Sequence, residues 1–191
     1  MIPMIIKETS EGISRIPLED ALFQKREIFC VGEITRELAY ALTMQLRWLQ
    51  TDAPGEEIAM YIDSPGGEVS SGLAVYDVMQ AIQCPIRTVC TGTAYSMASL
   101  LFAAGKQRDI LSHARVMIHD PLITGGAGGS ALHLESIAQN LMQTRSIVAE
   151  ILAKHTGHTI SEVLARTATD TYFNATEAVA WGLADRIITT L

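Results

Sequence analysis

One serine of the chain stands where a protein can do chemistry, between a predicted strand and a predicted helix. The β-branched, apolar run Ile86–Thr91 predicts a strand that stops at Gly92, and the run Ser96–Ala104 predicts a helix. A serine at a helix start ordinarily caps free backbone amides, which is the simplest interpretation of Ser96. The same amides would also stabilise negative charge on its oxygen. A nucleophilic serine further needs a base, a group that orients the base, and an oxyanion site.

Candidates for the base and for its orienting group lie further along the chain. His119 ends the apolar run 116–118, and open α/β sheets place their sites at the carboxyl ends of parallel strands. A histidine satisfied by backbone groups is the alternative. Asp120 is adjacent to His119, but neighbours in an extended chain point to opposite faces, so it is poorly placed to orient the ring. Asp170 lies in a predicted loop, where it either folds back to the histidine or serves as a turn residue, and spacing alone leaves this open.

A pair of glycines follows the predicted strand Ile58–Ile62. In the segment Ser64–Gly67 they close this strand and open a predicted helix over 69–82, so they can expose backbone N–H groups. The segment lacks the lysine of a Walker loop and the G-x-G-x-x-G pattern, which disfavours a phosphate loop. As an oxyanion site it needs to supply only one N–H group, paired with the amide of Met97.

Composition and charge argue against several functional classes. A net charge of −7 without a cluster of lysine and arginine argues against nucleic acid as a partner. No apolar run reaches the length of a membrane span, and the apolar opening of the chain is too short for a signal peptide. Cys30, Cys84 and Cys90 lie in apolar settings without C-x-x-C spacing, which predicts reduced thiols and a cytoplasmic location. No histidine has the spacing of a zinc ligand, so no metal site is expected.

The order of elements predicts one α/β domain whose sheet is largely parallel. Residues 1–26 are poorly periodic and are expected to be irregular or partly mobile. A mean hydropathy of +0.22 in an acidic chain favours a homo-oligomer, because some apolar surface is then buried between subunits. Strands are predicted at 28–31, 58–62, 108–111 and 115–118. Long helices are predicted at 36–50, capped by Thr35, at 69–82, and at 131–155, ended by Gly157. Two short helices are predicted after the capping boxes that begin at Thr159 and Asn174.

Six segments of the chain together resemble the family of proteolytic subunits of the Clp protease (ClpP). They are YIDSPGG at 61–67, AYSMA at 94–98, MIHDPL at 117–122, ILAKHTG at 151–157, FNATEA at 173–178 and GLAD at 182–185. Each segment by itself is a weak signal. All of them occur in the order of the family over nearly the whole chain after residue 27, which makes the resemblance highly specific.

The resemblance implies a fold and a set of site residues. The fold is the ClpP/crotonase-like spiral of ββα units, with one peptidase domain over 27–191 and an N-terminal axial segment over 1–26. A protruding handle at about 122–156 would combine a glycine-rich strand segment with the long helix. The chemistry is that of a serine peptidase. Its nucleophile would be Ser96, its general base and then acid His119, its orienting carboxylate Asp170, and its oxyanion amides those of Gly67 and Met97.

The resemblance also implies an assembly and its partners. Members of the family stack two seven-membered rings into a closed chamber, and an AAA+ unfoldase of the ClpX, ClpA or ClpC type feeds unfolded polypeptides into it. The unfoldase uses the ATP, so this chain is expected to need no cofactor. The resemblance also allows a second ClpP-type chain as a partner. The expected function is therefore that of a cytoplasmic, ATPase-dependent serine endopeptidase that cuts unfolded chains into short peptides.

Two other functions stay open at this point. A latent or non-catalytic scaffold subunit would need an active paralogous chain, although all three positions of the triad are filled here. A crotonase-type acyl-CoA enzyme would share the spiral fold and the oxyanion site, but would have no reason to hold serine, histidine and aspartate at these places. The chain also departs from the family pattern at Asp120, where glutamine is usual, and at Thr171, where arginine is usual.

Overall fold

A seven-stranded sheet forms the centre of the computed structural model, which describes residues 3–9 and 12–191. The elements are β1 Met4–Thr9, β2 Gly12–Pro17, α1 Leu18–Phe23, β3 Glu27–Val31, α2 Arg36–Asp52, β4 Ile58–Ser64, α3 Val69–Ala81, β5 Ile86–Tyr95, α4 Met97–Ala103, β6 Gln107–Leu111, β7 Arg115–Ile118, α5 Ala131–Thr156, α6 Ile160–Thr167, β8 Thr171–Asn174, α7 Ala175–Ala180 and β9 Arg186–Ile188. Five strands follow one another in the order β3-β4-β5-β6-β9, and all of these pairs are parallel. The predicted α/β class with a largely parallel sheet is confirmed.

Strand β5 is the element on which the rest of the sheet depends. Its first half, Arg87–Cys90, pairs with β6, and its last residues, Thr93–Tyr95, pair with β7. The prediction that this strand stops at Gly92 is wrong, because the backbone stays extended through the glycine. A Cβ at Gly92 would lie 2.4 Å from Oδ1 of Asp63, so the missing side chain makes room for that carboxylate. Oδ1 of Asp63 then accepts the N–H of Thr93 at 2.8 Å and holds the second half of β5 in place.

The helices begin where their capping residues predicted. The hydroxyl of Thr35 accepts the N–H of Leu38 at the start of α2. Both predicted capping boxes form, at the starts of α6 and α7. Gly157 ends α5 in the left-handed region at φ 80°. Helix α2 buries Leu42, Leu46 and Leu49 as expected, but it buries Ala39 in place of the predicted Ala41. Helix α4 is buried along its whole length, as an apolar helix in the middle of a core must be.

The N-terminal segment differs from the prediction. An irregular segment was expected over 1–26, and this is wrong for the described residues. Strands β1 and β2 form an antiparallel hairpin, and helix α1 follows directly after Pro17. Met4, Ile6 and Ile13 are all more than half exposed, and no side chain of the hairpin whose burial is described is fully buried. Without a buried face there is no alternation of apolar and polar residues from which the strands could be predicted. Residues 1, 2, 10 and 11 lie outside the described part.

The C-terminal part adds two strands that the sequence did not predict. Strand β8 pairs antiparallel with β7, and β9 pairs parallel with β6 at the edge of the sheet. Conversely, the glycine-rich segment was expected to contribute a strand, but residues 119–130 form none. Among the described residues, no strand pairs with this segment to supply hydrogen bonds. In helix α5, no residue from 131 to 148 is buried, while Ala149 and Leu152 pack into the core.

Across the described residues, no helix has both the length and the apolar stretch that crossing a bilayer requires.

Candidate active site

The predicted residues Ser96, His119 and Asp170 lie side by side because each is next to the end of a strand. Ser96 follows the last residue of β5, His119 follows the last residue of β7, and Asp170 precedes the first residue of β8. In the parallel pair, Tyr95 lies opposite Met117, and in the antiparallel pair Ile118 lies opposite Thr171. Extending these registers by one residue brings Ser96 beside the end of β7 and puts His119 opposite Asp170. The sheet therefore joins three residues that are far apart in the sequence.

The imidazole of His119 bridges the other two side chains. Its Nε2 lies 2.8 Å from Oγ of Ser96, and its Nδ1 lies 3.0 Å from Oδ1 of Asp170. An ionised carboxylate only accepts hydrogen bonds, so Nδ1 carries the proton and Nε2 accepts the hydroxyl of Ser96. The His119 side chain is 15% exposed, whereas that of Asp170 is 58% exposed. When the ring is neutral with its proton on Nδ1, this arrangement makes Nε2 the acceptor of the serine hydroxyl.

Ser96 has an unusual backbone conformation, at φ 52° and ψ −124°. A positive φ at a residue other than glycine costs on the order of 1–3 kcal/mol and persists only where its surroundings enforce it. The N–H of Ser96 donates to the carbonyl of Met117 at 2.9 Å. Its own carbonyl accepts the N–H of Ser99 at 3.0 Å and the Ser99 hydroxyl at 2.6 Å. These three hydrogen bonds hold the sharp turn from strand β5 into helix α4.

The interpretation of Ser96 as a capping residue is wrong for its side chain. Ser96 occupies the position before the first residue of α4, but its hydroxyl makes no capping hydrogen bond and contacts His119 instead. The positive φ turns the hydroxyl away from the helix amides. Ser99 is a residue that the sequence analysis missed, since a buried serine within an apolar helix gives no local signal of its role.

The glycine turn after β4 packs directly against Ser96. A Cβ at Gly66 would lie 2.7 Å from Cβ of Ser96 and 3.1 Å from the amide nitrogen of Met97, so only glycine allows this approach. The N–H of Gly66 donates to Oγ of Ser64 at 3.1 Å. Within the described part of the chain, the amides of Gly67 and Met97 have no hydrogen-bond acceptor. Met97 directly follows Ser96, and Gly67 directly follows the glycine that packs against it. Free N–H groups at these two positions are of the kind that stabilises an oxyanion.

A small apolar hollow opens next to Ser96 and His119. Its volume is about 20 Å³. Apart from Ser96, Ser99 and His119, its walls are apolar: they consist of Val69, Met97, Leu100, Ile118, Pro121, Val148 and Leu152. Helices α3, α4 and α5 each supply part of this lining. At this size the hollow admits only a water-sized group, so it lines the serine oxygen with apolar surface and is not a preformed pocket for a whole side chain.

The carboxylate of Asp120 makes no hydrogen bond to the imidazole of His119, in agreement with the sequence argument. It binds Arg145 and Thr167 instead.

A further cluster surrounds the buried Asp109 on β6, far along the sheet from Ser96. Burial acts to raise the pKa of Asp109, but hydrogen bonds from Arg186, Arg87 and Gln107 outweigh it and leave that pKa below its usual value.

The three cysteines are free and buried, as predicted. Burial raises the pKa of the Cys30 thiol to about 12. Burial, with the Asp63 carboxylate adding to it, raises the pKa of the Cys90 thiol to about 12 as well. The thiols of Cys30 and Cys90 are therefore protonated at neutral pH, which makes them poor nucleophiles. Among residues 3–9 and 12–191, no three side chains of histidine, cysteine, aspartate or glutamate are grouped as metal ligands would be.

Comparison with protein families gives one finding for this chain. Residues 10–191 match the family described as Clp protease. The match includes every residue of the serine, histidine and aspartate arrangement and both free amides beside it. It agrees with the resemblance that the six sequence segments indicated.

Proposed function

The chain belongs to the Clp protease family, and from this premise we propose that it is the proteolytic subunit of an ATP-dependent Clp protease. It hydrolyses unfolded proteins to short peptides as a serine endopeptidase. Family membership supports a peptidase of the ClpP type. The observation that carries the catalytic part of the proposal is the contact of one imidazole with both Ser96 and Asp170, at 2.8 and 3.0 Å.

The contacts of the imidazole support the following reaction sequence. Oγ of Ser96 attacks the carbonyl carbon of the scissile peptide bond while Nε2 of His119 takes its proton. Asp170 accepts the N–H at Nδ1, which fixes the ring orientation and stabilises the imidazolium that forms. His119 then donates the proton to the leaving amine, and an acyl ester of Ser96 remains. A water molecule activated by the same nitrogen hydrolyses this ester and regenerates the serine.

The free amides of Gly67 and Met97 are proposed to bind the oxyanion. Negative charge develops on the carbonyl oxygen as Ser96 attacks, and donors already in place stabilise it without reorganisation. The hydrogen bond from Gly66 to Ser64 supports this assignment, because it fixes the turn while leaving the next amide free. The strained φ of Ser96 serves the same end, since it separates the side-chain oxygen from the amide of Met97.

The hollow beside Ser96 admits only a water-sized group, so its apolar walls are proposed to favour apolar substrate side chains that pack at its mouth. Its walls carry the methyl and methylene groups of α3, α4 and α5, with no charged side chain among them. A charged side chain at this mouth would be desolvated without a partner, at a large cost. We therefore expect cleavage after residues such as leucine or methionine rather than after aspartate or lysine.

The assembly is proposed from an exposed apolar surface together with the family. Leu132, Met142 and Ile147 on the outer part of α5 are 78%, 57% and 45% exposed. Surface of this kind is normally covered by a partner. We propose that residues 122–156 form the handle of two stacked seven-membered rings, and that an AAA+ unfoldase docks on the assembly and uses the ATP. A cytoplasmic location and the absence of a cofactor in this chain belong to the same proposal.

The catalytic proposal is tested with a fluorophosphonate probe and intact mass. We expect one adduct on the wild-type protein, none on Ser96→Ala, and one on Ser112→Ala, which alters an exposed serine outside the site. With a fluorogenic peptide that carries leucine before the scissile bond, Ser96→Ala should lower kcat by roughly 10⁶-fold. Peptidase activity retained in Ser96→Ala would refute the assignment of the nucleophile. No adduct on any variant would favour the latent scaffold subunit, and the probe would then be repeated with a paralogous ClpP chain present.

A further inference from the structure

Behind His119 lies a polar cluster that consists of Asp120, Arg145 and Thr167. Oδ2 of Asp120 accepts Nε–H of Arg145 at 2.5 Å, and its Oδ1 accepts the hydroxyl of Thr167 at 2.6 Å. The backbone N–H of Asp120 donates to the carbonyl of Thr167 at 2.7 Å. Nη2 of Arg145 donates to the carbonyl of Leu164 at 3.3 Å. One carboxylate thus joins the segment after β7, the middle of α5 and the end of α6.

This cluster is better shielded from water than an ordinary surface ion pair. The side chains of Asp120 and Arg145 are 30% and 26% exposed, and Thr167 is 2% exposed. Charge-assisted hydrogen bonds in such surroundings hold geometry more strictly than exposed pairs do. The cluster also supplies donors to Leu164 and Thr167, whose carbonyls belong to the last turn of α6 and have no partner within the helix. It therefore fixes where α6 ends.

The position of this cluster relates it to the proposed catalytic pair. Asp120 directly follows His119, and Thr167 lies three positions before Asp170. The cluster thus ties together the two segments that carry the base and its orienting carboxylate. The hydroxyl of Thr171 donates to the carbonyl of Arg166 at 2.8 Å and closes the short loop between them. Asp170 is 58% exposed, so side-chain packing restrains it little and its place depends on this backbone.

We propose that Arg145, acting through Asp120 and Thr167, is a positioning residue that sets the separation of His119 from Asp170. The inference rests on the proposed function, because it assigns a role toward a proposed catalytic pair. Arg145 lies in none of the walls of the hollow and does not contact Ser96 or His119. Arg145 acts by holding the two backbone segments that carry His119 and Asp170. It influences catalysis only through the hydrogen bond between Nδ1 of His119 and Asp170.

The first test removes the guanidinium while keeping an aliphatic side chain. We expect Arg145→Met, studied in the full-length assembled protein, to lower kcat by about 10- to 100-fold with KM within about twofold of wild type, since small misplacements of catalytic groups have effects of this size. Arg145→Lys keeps the charge but cannot donate to Asp120 and Leu164 in the same geometry. Its kcat should therefore lie between that of the wild type and that of Arg145→Met. The matched control is Arg47→Met on the exposed surface of α2, which should react as the wild type does.

A double-mutant cycle separates positioning from simple stabilisation. If Arg145 acts through the pair of His119 and Asp170, then Arg145→Met should cost less than about threefold in an Asp170→Asn background, because the hydrogen bond that it positions is already lost. A structural role would instead lower the rate by the same factor in both backgrounds. If Arg145→Met does not fold, Thr167→Val serves in its place, since it keeps the shape of a buried side chain and removes only the hydroxyl that Asp120 accepts.

The outcomes for this inference differ from those for the proposed function. Wild-type kcat in Arg145→Met, or equal losses in both backgrounds of the cycle, would overturn the positioning role while leaving the serine peptidase intact. A fluorophosphonate reaction that does not depend on Ser96 would overturn the proposed function itself. The rate at which the probe labels Ser96 tests both the positioning role and the proposed function, because this reaction also depends on His119 as the base. It can be followed even in variants whose peptide turnover is slow.

Discussion

Two clusters of ionisable side chains in this molecule show how the same sheet builds a structural network and a reactive one. The first surrounds Asp109, which accepts Nε–H of Arg87 at 2.6 Å, Nε–H of Arg186 at 2.8 Å and the amide of Gln107 at 3.0 Å. The second joins Ser96, His119 and Asp170. Both connect neighbouring strands, the first across β5, β6 and β9 and the second across β5, β7 and β8.

The difference lies in what each cluster leaves unsatisfied. The side chain of Asp109 is fully buried, and donors meet both of its oxygens, so it has no group left with which to act on a substrate. At Ser96 the backbone is strained, two amides have no acceptor in the described part of the chain, and an apolar hollow adjoins the hydroxyl. Saturated hydrogen bonding serves stability, whereas groups that are fixed but unpaired are available to a transition state.

Among changes to the carboxylates of the two clusters, the largest effect is expected from Asp170→Asn, which breaks the reactive cluster. An amide at this place can donate to Nδ1, so the ring adopts the other tautomer and Nε2 no longer accepts the proton of Ser96. We expect kcat to fall by about 10⁴-fold with little change in the free energy of unfolding, since Asp170 is 58% exposed. Peptide turnover and urea unfolding measure the two quantities. Asp77→Asn on the exposed face of α3 is the control, and a loss of less than tenfold at Asp170 would contradict the role of that residue.

Asp109→Ala is expected to have the opposite result: a large loss of stability with little loss of activity. Removing the buried carboxylate leaves Arg87, whose side chain is 19% exposed, without its partner, which should lower the free energy of unfolding by about 3 kcal/mol. The protein that remains folded should keep the kcat of the wild type. Urea unfolding gives the comparison with Asp52→Ala, which removes an exposed partner 3.9 Å from Arg26 and should cost less than about 1 kcal/mol. Equal losses for the two variants would show that Asp109 is no structural centre.

The smallest effect concerns the dependence of stability on pH. Because its hydrogen bonds hold the pKa of Asp109 below the usual value, this carboxylate stabilises the fold fully above its unfolded pKa of about 3.9, and this contribution is lost as the pH falls through the lower folded value. Urea unfolding of the wild type and of Asp109→Asn between pH 7 and pH 3 should therefore give a steeper acid loss in the wild type. Parallel curves would show that folding does not lower the pKa of Asp109.

Local features of the sequence were sufficient for much of the fold. Thr35, Thr159 and Asn174 cap helices where they were predicted to, since a capping residue and its partner amide lie within three positions of each other. The strands 28–31, 58–62 and 115–118 follow from apolar runs that end at polar or turn residues. The hairpin near the N-terminus and strand β9 were missed because their residues gain regularity from pairing rather than from a buried face.

The sequence by itself determined the chemical types that the site contains and the elements that end beside them. It named Ser96, His119, Asp170 and the amides of Gly67 and Met97, and the family match that covers them was already indicated by six short segments. The catalytic roles of these residues stay predictions. Only the tertiary structure decided that Ser96 turns away from its helix, and that Asp170 rather than Asp120 faces the histidine. The physical reason is that both facts depend on the register of β7 with β5 and β8, and hydrogen bonds between distant strands leave no trace in local spacing.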